Sequence, residues 1–172
     1  MSGQGGPPRY FPIGHLGASM STAARAWLDG TAGPASPSRD ASTVLLLRDA
    51  VDPGDGGGVE VFMIMRASTM AFAPSVYVFP GGGVDPRDAD DALPWVGPSP
   101  AAWAQVLGTD DEAHARELVV AAAREVFEEC GVLLAGPDAS SVVADLTDPR
   151  WAAARQSLLA REASFAELLL AQ

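Results

Sequence analysis

Lysine is missing from this chain of 172 residues, so all 11 of its fixed cations are arginines. A P-loop grips phosphate with the lysine of its Gly-x4-Gly-Lys-Ser/Thr run, and that class of nucleotide chemistry is excluded. Cysteine occurs once, at Cys130, which rules out an intramolecular disulfide framework. No apolar run reaches the ~20 residues that span a bilayer. The opening MSGQGGPPRYFPIGHLG has neither the basic start nor the apolar core of a secretion signal. The default expectation is therefore a cytoplasmic protein with no membrane association. Cations are scarce altogether: 22 acidic residues face 11 basic ones, for a net charge of −11. Sequence-independent nucleic-acid binding needs clustered cations and is not expected. An anionic small-molecule substrate would need a divalent metal to approach such a surface.

What is present is enough for one domain with a real core, at 48% hydrophobic and 19% charged residues. Residues 1–40, rich in Gly, Pro, Ala and Ser, read as a flexible N-terminal arm with a short helix near Thr22–Leu28. Met20 is an alternative start. Residues 41–172 read as the folded domain. Thr43–Arg48 (TVLLLR) and Val59–Arg66 (VEVFMIMR) are strand candidates joined as a hairpin through the turn Asp52–Gly58. Val76–Phe79 is a third short strand, stopped by Pro80 and three glycines. An acidic insert covers about 85–110, with a helical turn around Ala101–Leu107. Asp110–Cys130 is a long helix, with acidic residues at its N-terminus and Gly131 as its stop. A helical C-terminal segment covers 141–172, with the helical pattern over Val142–Leu170 interrupted at Pro149.

The long helix carries the chemistry. Glu125, Glu128 and Glu129 stand at i, i+3 and i+4, on one face. Val119, Ala122, Ala123, Val126 and Cys130 fall on roughly the opposite face and are expected to pack on the sheet. Cys130 then reads as a packing residue rather than a nucleophile. Three glutamates on a helix are usually a solvated face, yet the same arrangement suits a hard cation that needs several converging oxygens.

Arg124–Val132 reads R-E-V-F-E-E-C-G-V. This resembles the second half of the Nudix box, R-E-U-x-E-E-x-G-U with U aliphatic, at every defined position. Phe79-Pro80-Gly81-Gly82 resembles the segment that opens that box. The resemblance covers roughly Ser42–Val132. It implies an α/β fold, an α/β/α sandwich with a mixed sheet, and a hydrolase that cleaves the diphosphate linkage of a nucleoside diphosphate derivative with Mg2+ or Mn2+. It implies Glu128 and Glu129 as the main metal ligands and Glu125 as a further ligand or general base. Arg124 would orient these glutamates, and the Gly81 carbonyl would complete the metal site. Arg66, whose guanidinium matches phosphate oxygens, and Gly82 are the candidate substrate contacts. The long insert, together with Arg66-Ala67-Ser68 and the run to Gly82, is similar to the subgroup that includes peroxisomal coenzyme A diphosphatases.

The chain departs from the pattern G-x5-E-x7-R in two ways. Gly82 stands 42 positions before Arg124, where the pattern allows 14, so about 28 residues are inserted within the box. Arg116, not glutamate, stands eight positions before Arg124, and Glu112 or Glu117 is the expected substitute. Beyond Val132 no convincing strand pair follows, so the sandwich is expected to be incomplete at the C-terminus. An open sheet edge and apolar face would favour homo-oligomers. A nucleotide-binding module without turnover and a fragment without function of its own stay open beside the enzyme.

Other constellations fail. His15, His114 and Cys130 do not make a zinc site. Asp85, Asp88, Asp90 and Asp91 lack the EF-hand glycine and closing glutamate. No G-x-S-x-G elbow exists. Gly54–Gly58 precedes a strand rather than opening a helix, so it is no dinucleotide fingerprint.

Overall fold

The structure, a computed structural model, describes residues 18–51, 58–70 and 74–172. It divides into two compact units, Met1–Ser38 and Arg39–Gln172. In the first unit, α1 runs Ala18–Leu28, one turn longer than the helix expected from Thr22. It ends at Gly30, which takes the left-handed conformation (φ 69°). The expected turn at 52–57, the Gly54–Gly57 run and His15 lie outside the described residues.

The second unit is α/β. Its extended chain is cut into shorter pieces than the sequence suggests: β1 (Ala41–Thr43), β2 (Leu47–Asp49), β3 (Val59–Val61), β4 (Ile64–Met65), β5 (Tyr77–Val78) and β6 (Gly81–Gly83). The described pairs are all antiparallel: β1 with β6, β2 with β3, and β4 with β5. The β2–β3 pair is the expected hairpin, with Leu47 opposite Val61 and Asp49 opposite Val59. Single bonds prolong the pairs, from Val44 N–H to the Pro80 carbonyl and from Phe62 N–H to the Leu46 carbonyl. Three extended segments thus each pair with the other two. The expected unbroken strand Thr43–Arg48 divides where its partner changes from β6 to β3, and Val59–Arg66 divides where its partner changes from β2 to β5. The three glycines do not merely stop a strand, because they form β6.

The insert is structured. Asp85 caps a 3-10 turn, Pro86–Ala89, and α2 (Pro100–Leu107) starts at the Ser99 cap and ends at the left-handed Gly108 (φ 72°). Then α3 (Glu112–Cys130) begins where the Asp111 side chain accepts from His114 N–H and ends at Gly131 (φ 68°), as its sequence signals dictate. The C-terminal reading needs correction. Residues 141–148 are not helical: α4 (Pro149–Leu159) starts at Pro149 itself, capped by Asp148, and α5 (Phe165–Leu170) follows from Ser164. Proline lacks only an N–H that the first helical turn leaves unpaired anyway, so Pro149 opens a helix rather than interrupting one.

The core joins α3, α4 and α5. Val120 and Phe127 pack with Leu133, Trp151, Leu158, Phe165 and Leu168, and the Phe127 and Trp151 rings meet edge to face at 6.3 Å. The face of α3 expected to be apolar is therefore only partly right. Val126 is buried, but Val119, Ala122, Ala123 and Cys130 are half-buried, while Ala115, Ala121 and Arg124 are buried. A helix with neighbours on several sides buries more than one stripe. On the strands, Leu47, Val59, Met65 and Tyr77 remain exposed. No helix among the described residues is long and apolar enough to cross a membrane.

Candidate active site

Arg124 is the centre of the site. It is 7% exposed, and Asp88, from the 3-10 turn of the insert, is 2% exposed. The Arg124 Nε and Nη2 groups donate to the two Asp88 oxygens at 2.8 and 2.9 Å, a two-pronged ion pair. Nη2 also donates to the Gly83 carbonyl at 2.9 Å. Nη1 donates to Glu125 Oε1 at 2.8 Å and Glu128 Oε1 at 3.2 Å. One guanidinium, with its donors in a fixed fork, thus ties β6, the insert and two glutamates of α3 together. Burial works against the Arg124 charge, but Asp88 and Glu125 overcome it and hold the group protonated more firmly than a free arginine. Asp88 is positioned in turn by the Asp85 N–H, which donates to its Oδ2 at 2.8 Å.

Asp88 was not anticipated from sequence; Glu112 and Glu117 were. No bond between either of these and Arg124 occurs among the described residues. The signal was available all the same. Counted forward from Gly82, five residues separate it from Asp88, the first spacing of the box pattern with aspartate in place of glutamate. The inserted residues therefore fall between Asp88 and Arg124. Arg116, found by counting backward, serves the insert instead. It donates to the carbonyls of Asp90 and Leu93 at 2.9 and 2.8 Å and lies 5.7 Å from the Trp95 ring centre.

The glycines of β6 are required by close approach. A Cβ on Gly82 would stand 2.5 Å from Glu125 Oε1, and one on Gly81 would collide with the Ser42 carbonyl and Thr43. Gly81 N–H donates to Glu129 Oε2 at 2.9 Å. Gly82→Ala is therefore expected to push Glu125 aside. The strain costs about 1–3 kcal/mol, because the obstructed group is the end of a side chain. Thermal melting of the variant beside the wild type checks this.

Burial raises the Glu125 carboxyl above its ordinary range, Arg124 opposes that, and Glu128 and Glu129 add to it. Asp85 moves the other way, to about 2, chiefly through its side-chain bond with Arg87. The stabilisation linked to Asp85 is complete above its unfolded value of 3.8 and lost as pH falls towards 2. Melting temperature measured between pH 5 and 2 should fall more steeply for the wild type than for Asp85→Asn.

Beside Glu129 a cleft of about 660 Å³ opens, lined by Arg66, Ile64, Met70, Phe79, Gly81 and Glu129 among others. The Arg66 Nε is buried and has no hydrogen-bond partner among the described residues. Sequence reasoning also missed Arg155 of α4, which donates from Nε to the Glu128 carbonyl at 2.8 Å and from Nη2 to the Glu129 carbonyl at 3.0 Å. No local pattern links it to residues 26 and 27 positions away.

Glu125, Glu128, Glu129 and Gly81 offer the oxygen donors that a hard cation takes. Each glutamate keeps one oxygen without a protein donor among the described residues, so in donor chemistry the set fits Mg2+ or Mn2+. The carboxylates are not gathered into a three-ligand group among the described residues, and binding would draw their side chains together.

No family model matches the chain, and no curated protein does. Among solved structures the chain is similar to the NUDIX hydrolase from Alicyclobacillus acidocaldarius, at 26% identity over 75% of this chain and a TM-score of 0.49. The chain spans 55% of that protein's length.

Proposed function

We propose that this chain is a Nudix-type hydrolase that cleaves the diphosphate linkage of a nucleoside diphosphate derivative, with a coenzyme A-like molecule as the first substrate to try. The observation that carries this reading is the Arg124 node. It unites Gly83, Asp88, Glu125 and Glu128, joining two halves of a motif that the sequence separates. Glu128, Glu129 and the Gly81 carbonyl would hold Mg2+ or Mn2+. When bound, the ion supplies charge neutralisation at the diphosphate and acidifies a water. Glu125 acts as general base through Oε2, which has no protein donor among the described residues, while Oε1 is held by Arg124. Arg124 orients Glu125 and Glu128 through its hydrogen bonds and so limits their freedom. Arg66, which lines the cleft, would meet a phosphate oxygen through its guanidinium fork.

The test is hydrolysis of coenzyme A, NADH, ADP-ribose and a nucleoside triphosphate with Mg2+, beside Glu129→Gln. Metal-dependent turnover abolished by the substitution is the expected result. A second reading, nucleotide binding without turnover, draws on the bonds that already engage Glu125 and Glu128 with Arg124. Saturable binding of the same compounds with no turnover by a cooperatively melting sample would replace the first reading with the second.

A further inference from the structure

We infer that Arg155 is a positioning residue of this site, holding the last turn of α3 so that Glu128 and Glu129 stand ready for a cation; this rests on the metal-dependent reading above. The last carbonyls of a helix have no intrahelical donor, and the helix dipole makes that end unfavourable for anions. Glu125, Glu128 and Glu129 nevertheless crowd the end of α3. The Glu128 and Glu129 carbonyls, at the roots of two proposed ligands, accept from the two prongs of Arg155. The guanidinium reaches them from α4, whose Trp151 is buried against Phe127, so the core fixes the direction of the bond. Arg124 holds Glu125 and Glu128 by their side chains, while Arg155 holds Glu128 and Glu129 by their backbone.

A cation beside a metal site also repels the metal, and this separates positioning from charge. Mn2+ binding to the full chain without substrate, followed by the electron paramagnetic resonance of the free ion, reads the difference. If Arg155 positions the ligands, Arg155→Ala weakens Mn2+ binding roughly tenfold, the loss of about one charge-assisted bond. Arg155→Lys, which keeps the charge without the planar fork, then falls between. Equal or tighter binding by Arg155→Ala, with wild-type binding intact, would overturn the inference alone. Should Arg155→Ala unfold, Arg155→Lys decides, and wild-type affinity in that variant would sink the idea. Absence of Mn2+ binding in the wild type would remove the metal-dependent reading and this inference with it.

Discussion

Asp88→Ala is expected to cost about 3–5 kcal/mol of folding stability, because it leaves the Arg124 charge buried without its main partner. That is a large share of the ~5–15 kcal/mol typical of a whole domain. The argument rests on burial: the side chains of Arg124 and Asp88 are 9% and 1% exposed. Water can therefore do little to replace the lost carboxylate. Glu125, Glu128 and the Gly83 carbonyl remain on the guanidinium, but Nε loses its acceptor. Urea unfolding followed by circular dichroism measures the loss. Replacing both partners, Asp88→Leu with Arg124→Met, should cost less than the two single losses added, since neither charge is then stranded. A loss below about 1 kcal/mol for Asp88→Ala, the range of an exposed pair, would contradict the buried pair described above.

If Glu125 is the general base of the proposed reaction, Glu125→Gln lowers turnover by roughly 100- to 10,000-fold, the range for removal of such a base, while the fold survives. Glutamine still offers an oxygen to Arg124 Nη1, so the node stays closed. Stability should move the opposite way from activity. Burial raises the Glu125 pKa, which means the folded protein holds this proton more tightly than the unfolded chain. The ionised carboxylate therefore weakens the fold as pH rises above its ordinary value of 4.5. A neutral glutamine escapes that penalty. At pH 7 the variant should melt no lower than the wild type, and any advantage should disappear below pH 4.5. Loss of activity accompanied by a collapse in melting temperature would assign Glu125 a structural role instead.

Local chemistry made α3 legible in the sequence. Asp111 supplies a side-chain acceptor at one end, Gly131 takes a left-handed turn at the other, and the glutamate spacing follows from 3.6 residues per turn. The β2–β3 hairpin was legible for the same reason, and so was α2, though as a single turn around Ala101–Leu107 rather than the full Pro100–Leu107, since each is announced by residues within a few positions of it. The breaks in the extended segments were not, because a strand divides where its partner changes, and the partner is remote in sequence. The buried face of α3 was misread through its neighbours: Val120 and Phe127 turn towards helices whose docking no periodicity encodes.

The sequence by itself set out the groups that the proposed chemistry draws on: Arg124 and three glutamates on one helix, three glycines in a row, and no lysine for a P-loop. Tertiary structure alone decided what holds them. Asp88 reaches Arg124 across 36 positions, Glu129 meets the Gly81 amide across 48, and Arg155 returns from α4 to the end of α3. Hydrogen bonds and ion pairs act over a few ångströms of space whatever the separation along the chain, so such partners exist only once the chain has folded.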